Sequence, residues 1–482
     1  MKLNWPIGLR VERARLKQRP SGQGRVARLQ KVRELGWGDR HMTKEPVGIG
    51  LVGCGTVGSG VARLLLEQPE RLAARAGRPL ALRRVVVRDS AKVRPVAVPW
   101  ELLTTDLRQV LEDRSIEVAV ELVGGVEWAR RATLELLAAG KHVVTANKAL
   151  LAQHGPEVFE AARQHGRTVA FEASVAGGIP IIAALSQSLS ANQILSLQGI
   201  LNGTCNYILT AMSEEGRSYA EALAEAQRRG YAEADPTLDV DGTDAAHKLA
   251  ILAQIAFGVA VPADAVEHRG IAGLHQIDIR YARELGHTIK LLAEAWLDAK
   301  AQGVPKQLAL HVSPVLLRQH TPLAQVRGAY NAIHVVGDAV GDTLYYGQGA
   351  GQMPTASAVV ADIIDLAVGR AQQTFRTLRL WSGNGGGVVL RPSAAVRCRF
   401  YLRVLVRDRP GVLALIAREL ARQEISISSV IQHEALDEHE GDTVPLVIMT
   451  HTALTGNFRA ALAAIDGLGS VATPSVYFPV AD

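Results

Sequence analysis

The chain has 482 residues, 48% of them hydrophobic, with three cysteines and a formal charge of +6. That length suits about three domains, and no apolar run reaches the roughly 18–20 residues of a membrane helix. Cys54, Cys205 and Cys398 lie far apart without a CxxC pair, which argues against a disulfide scaffold or zinc ribbon and fits a reducing, cytoplasmic setting.

The positive charge is local. Residues 1–42 carry eleven Lys/Arg against three acids, a net of +8, which leaves the remainder at −2. A near-neutral body weakens any case for nucleic-acid binding. The extension has no uninterrupted apolar stretch, so it is not a secretory signal. Val26, Leu29, Val32 and Leu35 recur at helical spacing and allow a short amphipathic helix. Three readings compete: a disordered basic tail, an organelle-targeting segment, or a misassigned start with Met42 as initiator. Scarce serine counts against targeting, and Met42, five residues before the first strand, favours the last reading.

Val47 to Val52 is a short apolar run that continues as Gly53-Cys-Gly55-Thr56-Val57-Gly58 and then a helix through Val61, Leu64 and Leu65. This is GxGxxG between strand and helix, the context in which it binds a dinucleotide. Glycines permit a tight turn and close approach of a pyrophosphate, which the helix N-terminus then faces. The next strand, 82–87, ends at Arg88-Asp89, with Lys92 nearby. An acid there suits NAD and a base suits NADP; the bases outnumber the acid, so NADP is expected over NAD. Strands at 116–123, 142–145 and 168–171 alternate with helices, which predicts a parallel, doubly wound sheet. Gly124, Thr145, Asn147, Lys148 and Glu172 fall at strand C-terminal ends, where such sheets bind ligands.

Past residue 173 the rhythm changes. Ser174 to Pro180 is a turn-rich loop, and Asn202-Gly203-Thr204 reads as a ligand loop or a capped helix start. Helices are expected at about 219–229, 243–258 and 284–298, and strands at 308–318 and 333–346. Gly230 to Ala250 packs Glu233, Asp235, Asp239, Asp241, Asp244 and Lys248 into one stretch. Thr243 can cap a helix on which Asp244 and Lys248 share a face. A solvated acidic loop with an ordinary ion pair is the plain alternative to an amine-binding, proton-donating site. A second glycine-rich turn, Gly347 to Gly351, opens a long helix over 356–370 that could lie against the cofactor. Residues 382–398 read as a linker, after which strands and helices follow in βαββαβ order, a ferredoxin-like domain.

Together these motifs resemble homoserine dehydrogenase from about 43 to 382, followed by an ACT domain, a small amino-acid-sensing module. The resemblance rests on GxGxxG, Glu121-Leu-Val-Gly-Gly125, Thr145-Ala-Asn-Lys148, Asn202-Gly-Thr204, Gly230 to Pro236, Asp241 to Lys248, and Gly349 to Ser357. It implies a dinucleotide-binding domain over 43–173, completed by about 340–370, a substrate-binding and dimerisation domain over 174–381, and an ACT domain over 399–482. It implies a monofunctional enzyme that reversibly reduces aspartate 4-semialdehyde to homoserine, with Lys248 as proton donor and Lys148 contacting cofactor and substrate. Two nearby ammonium groups are expected to depress each other's proton affinity. Glu233 and Asp244 would hold the substrate amine, with Asn202, Gly203 and Thr204 beside them. Gly53, Gly55, Thr56, Val57, Gly58, Arg88, Lys92, Gly124, Lys148 and Gly349 would contact the cofactor. Glu172 and the carbonyls of Val175, Gly177 and Ile179 would hold a monovalent cation such as Na+ or K+. The ACT domain implies feedback by threonine near Asp408 to Leu413, in a homodimer or homotetramer. Another dehydrogenase of the same layout, such as an aspartate dehydrogenase, and a catalytically dead amino-acid sensor are the competing readings; the acids, both lysines and the tail count against them.

Overall fold

The structure, a computed structural model, describes residues 45–259, 261–298, 305–382, 387–433 and 443–481. The basic extension 1–42 lies outside the described residues. Strands β1 (Val47–Val52), β2 (Leu80–Val86), β3 (Leu103–Thr104), β4 (Ile116–Glu121), β5 (His142–Thr145) and β6 (Val169–Ala170) form one sheet in the order β3-β2-β1-β4-β5-β6. Every pairing is parallel. Helices α1 (Thr56–Glu67), α2 (Glu127–Ala138) and α3 (Lys148–Gln164) connect the strands. All six residues of β1 are buried, which is why the strand reads as a continuous apolar run rather than an alternating one. The strand order reverses between β1 and β4, so the ligand crevice opens where the turns after those two strands diverge.

The second sheet contains β7 (Ile194–Ile200), β8 (His287–Asp298), β9 (Lys306–Arg318), β10 (Tyr330–Gly337) and β11 (Gly341–Gln348). Helices α4 (Gly203–Glu214), α5 (Thr243–Phe257) and α6 (Gln276–Glu284) accompany it. The expected helix over 284–298 is not there: α6 ends at Glu284 and the chain enters β8. Ile289 to Ala295 are buried without a break, with Leu291 and Ala293 in one core and Leu292 in another. A strand buried on both faces hides its period of two. Strand β7 was likewise not anticipated. Residues 333–346 form two strands, β10 and β11, joined by a hairpin. Helix α7 (Gln352–Val368) returns to the first domain: a Cβ on Gly60 of α1 would sit 2.9 Å from the Ala356 Cβ. Val359, Val360 and Ile363 share a core with Ile49, Leu51 and Val61.

The C-terminal part follows the expected βαββαβ order: β12 (Arg397–Arg407), α8 (Val412–Arg422), β13 (Ile427–Gln432), β14 (Thr443–Thr450), α9 (Thr455–Asp466) and β15 (Val476–Ala481). It is not a separate body on a tether. Strand β15 pairs with β9 in parallel through Leu316–Val480 and Leu317–Ala481, so one sheet runs β11-β10-β7-β8-β9-β15-β12-β14-β13. Residues 388–390, read as part of a linker, form a strand beside 306–308. One face of the small domain packs into the main core through Tyr401, Met449 and Phe478. The fully buried Asp278 of α6 receives Arg403 at 2.7 and 3.0 Å and the Tyr401 hydroxyl at 3.1 Å.

Candidate active site

At the end of β1, Gly53 turns the chain with φ +99°. A Cβ there would lie 2.6 Å from the Leu122 carbonyl oxygen, and one on Gly58 would lie 2.2 Å from that of Gly53. Nothing lies within 4 Å of a Cβ on Gly55. The outer glycines therefore serve the turn and the packing, and the middle one leaves open space beside the backbone. Gly55 precedes α1 without a side-chain cap, so the N–H groups of Thr56, Val57 and Gly58 have no acceptor inside the helix and can meet an anion. Arg88, Asp89 and Lys92 are exposed beyond β2. Arg94, not singled out in the sequence, braces that turn by donating to the carbonyls of Lys92 at 2.7 Å and Asp89 at 2.5 Å.

The turns after β4 and β5 are tied to each other. Asn147 donates to the Gly125 carbonyl at 2.8 Å and caps α3 by accepting from the Leu150 N–H at 3.1 Å. Thr145 donates to Glu121 at 2.7 Å; Glu121 is fully buried, and burial pushes its carboxyl up. Gly124 lies open beside this turn. Gly349 has a packing role: a Cβ there would be 2.1 Å from the Asn331 amide nitrogen.

Lys148 is the first residue of α3, and Asp244 and Lys248 lie on the first two turns of α5. The fold brings them together. Lys148 Nζ lies 2.9 Å from Asp244 Oδ1, and Lys248 Nζ lies 2.7 Å from Oδ2. Lys248 also donates to the Leu201 carbonyl at 2.7 Å. Asn202 donates to Asp244 at 2.9 Å and to Asp239 at 2.8 Å, while its own carbonyl oxygen caps α4. Thr204 donates to the Tyr231 carbonyl and lies 3.3 Å from Asp239. Gly203 allows α4 to approach the Ala329 carbonyl, 2.7 Å from where a Cβ would be.

The electrostatics follow from this geometry. Burial favours the neutral form of Asp244, but the two ammonium groups outweigh it and hold the carboxyl below its usual range. For Lys148, burial disfavours the charge, yet Asp244, then Asp239 and Glu233, raise its proton affinity above the ordinary value. For Lys148 this reverses the expected depression, because the Asp244 carboxylate lies beside it. Both Asp244 oxygens are engaged by the lysines and Asn202. Glu233 is exposed, and its charge acts on Lys148 from a distance. Thr243 does not cap α5. Gly242 precedes the helix at φ +93°, and Asp241 accepts the Thr243 N–H at 2.8 Å.

Two residues absent from the sequence-derived site join it here. Asp239 was visible within the acid-rich stretch; only its contact with Asn202 and Thr204 distinguishes it from Asp235. Asn331 holds the Leu201 carbonyl at 3.0 Å from a distant strand, and no local pattern marks it. Glu172 lies beyond β6, and its two oxygens accept the N–H groups of Ile182 at 2.9 Å and Ala183 at 2.8 Å. Burial pushes its carboxyl up to about 7. The buried Asp362 accepts the Glu172 N–H at 2.9 Å, and burial pushes its carboxyl up. Neither acid has an ion pair among the described residues. Among the described residues no group of three His, Cys, Asp or Glu could hold a metal ion.

Comparison with known proteins matches three consecutive family models. Residues 53–172 match the homoserine dehydrogenase NAD-binding domain, 180–364 the homoserine dehydrogenase catalytic family, and 400–467 the ACT domain. The homoserine dehydrogenase of Pseudomonas aeruginosa is 43% identical over 436 residues, 90% of this chain and 98% of that protein. The crystal structure of a homoserine dehydrogenase from Thiobacillus denitrificans is 42% identical and covers 92% of this chain and 99% of its own, with a TM-score of 0.82. A hyperthermophilic archaeal homoserine dehydrogenase mutant in complex with NADPH is 26% identical over 67% of this chain and 97% of its own, with a TM-score of 0.55.

Proposed function

The chain belongs to the homoserine dehydrogenase family, and from that premise we propose that it reversibly reduces L-aspartate 4-semialdehyde to L-homoserine, with NADP preferred over NAD. The observation that carries this reading is the pair of lysines held on the two oxygens of Asp244. A dinucleotide held at the Gly53–Gly58 turn would supply a hydride to the aldehyde carbon. As charge develops on the carbonyl oxygen, the Lys248 ammonium gives it a proton. Asp244 and the Leu201 carbonyl hold that ammonium in position. Lys148, the first residue of α3, stabilises the same developing charge and would contact the cofactor. Glu233, which is exposed, takes the substrate amine, and Asp239 assists it. In the reverse direction Lys248, deprotonated, takes the hydroxyl proton of homoserine.

The exposed Arg88 and Lys92 support the preference for NADP, since both can meet a 2′-phosphate. A monovalent cation bound by Glu172 and the carbonyls of Val175, Gly177 and Ile179 would offset the charge of the Glu172 carboxylate. An amino-acid effector, threonine, would bind the ACT domain near Asp408 to Leu413. The enzyme would act as a homodimer or homotetramer in the cytoplasm, within threonine, methionine and isoleucine biosynthesis. The test is a steady-state assay of homoserine oxidation with NADP and with NAD, each with and without threonine. No turnover with either dinucleotide would sink the reaction, and equal kcat/KM would sink the preference. Inhibition that survives deletion of 399–482 would sink the effector assignment.

A further inference from the structure

Asn331 is a polar residue on an apolar strand face. β10 runs antiparallel to β7 with Ala332 opposite Ile200, which puts Asn331 at the level of Leu201. By the alternation of a strand it shares a face with Ile333 and Val335, both fully buried in the core. Asn331 is itself 1% exposed, and its Oδ1 has no hydrogen-bond partner among the described residues. A buried amide left half satisfied costs stability, so an aliphatic side chain would serve the packing better. The use of this asparagine therefore lies in what its amide nitrogen holds.

That nitrogen donates to the Leu201 carbonyl at 3.0 Å. The same oxygen accepts from Lys248 Nζ at 2.7 Å. A carbonyl oxygen has two lone pairs, so Lys248 and Asn331 together fill this one. Leu201 lies one residue past the end of β7, outside the strand ladder, so the direction of its carbonyl depends on these two side chains. The Lys248 ammonium has three N–H groups. Asp244 and Leu201 take two of them, and where those acceptors stand sets the direction of the third, the one left for a substrate.

Asn331 is fixed in turn from two sides. The Asn206 amide of α4 donates to the carbonyls of Gly328 at 2.9 Å and Tyr330 at 3.2 Å, and the buried Lys290 donates to the Asn206 amide oxygen at 2.9 Å. These bonds anchor the chain that leads into Asn331. On the other side the backbone of Gly349 passes so close that only a glycine fits against the Asn331 amide. The Gly349 carbonyl accepts the Gly177 N–H at 2.9 Å, which holds that turn in place.

We propose that Asn331 is a positioning residue for the proton transfer: by holding the Leu201 carbonyl it sets the direction in which the Lys248 ammonium presents its third N–H. The proposal rests on the reading of Lys248 as proton donor. Homoserine oxidation is measured on the full chain, on Asn331→Ala and Asn331→Asp, and on Asn331→Ala combined with Lys248→Ala. Asn331→Ala should lower kcat at least about tenfold and change the KM for homoserine and for the dinucleotide less than about threefold. Asn331→Asp keeps the shape of the side chain. Its protonated carboxyl can donate to the Leu201 carbonyl, whereas the ionised form repels that oxygen and draws Lys248 toward itself. Its turnover relative to the unsubstituted chain at the same pH should therefore approach one at low pH and fall as the pH rises. In the Lys248→Ala background, Asn331→Ala should change turnover less than about twofold, because the group it positions is gone. Asn331→Asp guards against Asn331→Ala acting through misfolding. A kcat within twofold of the unsubstituted chain in a normally melting Asn331→Ala protein, a loss in Asn331→Asp that does not vary with pH, or a further tenfold loss in the Lys248→Ala background would each overturn it. Near-normal oxidation by Lys248→Ala alone would instead overturn the proton-donor reading, a distinct result.

Discussion

The two sheets build their halves of the active site in opposite ways. The parallel sheet contributes contiguous motifs: Gly53 to Gly58 after β1, Gly124-Gly125 after β4, and Thr145 to Lys148 after β5. Each motif is a strand end, a turn and a helix start, so chain connectivity alone holds its parts together. The mixed sheet contributes an assembly. Lys248 from α5, the Leu201 carbonyl after β7 and Asn331 of β10 meet through hydrogen bonds between distant segments. The first half is set mainly by local backbone geometry and the second by long-range packing. Asp244 joins them, with one oxygen for the lysine of each half.

If the halves are separable in this way, substitutions should separate them too. The largest effect is expected from Lys248→Ala. Turnover should fall about 10²–10⁴-fold, the range for loss of a positioned general acid, with cofactor affinity nearly unchanged in a fluorescence titration. Near-normal homoserine oxidation would remove Lys248 from its role. Asp278→Ala comes next. It leaves Arg403 without its buried partner, and breaking such a pair costs about 3–5 kcal/mol. Denaturant unfolding should register that loss, and a first transition confined to the C-terminal domain would sharpen the view that this seam belongs to the assembled half.

Gly58→Ala tests the contiguous half. Its Cβ would lie 2.2 Å from the Gly53 carbonyl oxygen, an overpacking worth about 1–3 kcal/mol. Dinucleotide binding should weaken markedly while the Lys248–Asp244 pairing survives. An unchanged Kd for NADPH would contradict the role given to that glycine. The smallest effect concerns pH. Burial, and then Arg167, hold His142 at about 4 instead of 6.5, and its ring nitrogen accepts the Thr168 N–H at 3.1 Å. The folded state therefore resists protonation. Its stability is fully present above pH 6.5 and declines as pH falls toward 4, by about 1–2 kcal/mol once discounted for partial exposure. A His142→Gln protein should show a flatter acid limb in its melting temperature, and an identical limb would assign the slope to other groups.

The sequence alone determined the parallel sheet, the glycine turn, the family and the two lysines. These are properties of short segments in which apolar runs, glycines and strand-end positions act over a few residues. The tertiary structure decided what depends on partners far along the chain. It turned 287–298 into a strand buried on both faces, a state with no visible period. It joined the C-terminal domain to the catalytic sheet through the short pairing of β9 with β15. It also changed the meaning of Asp244. By spacing this residue was one acid in a run of acids. In the fold its oxygens lie between two ammonium groups, so it stays ionised despite burial and keeps both lysines in place. That balance of burial against charge arises only once α3 and α5 are packed side by side.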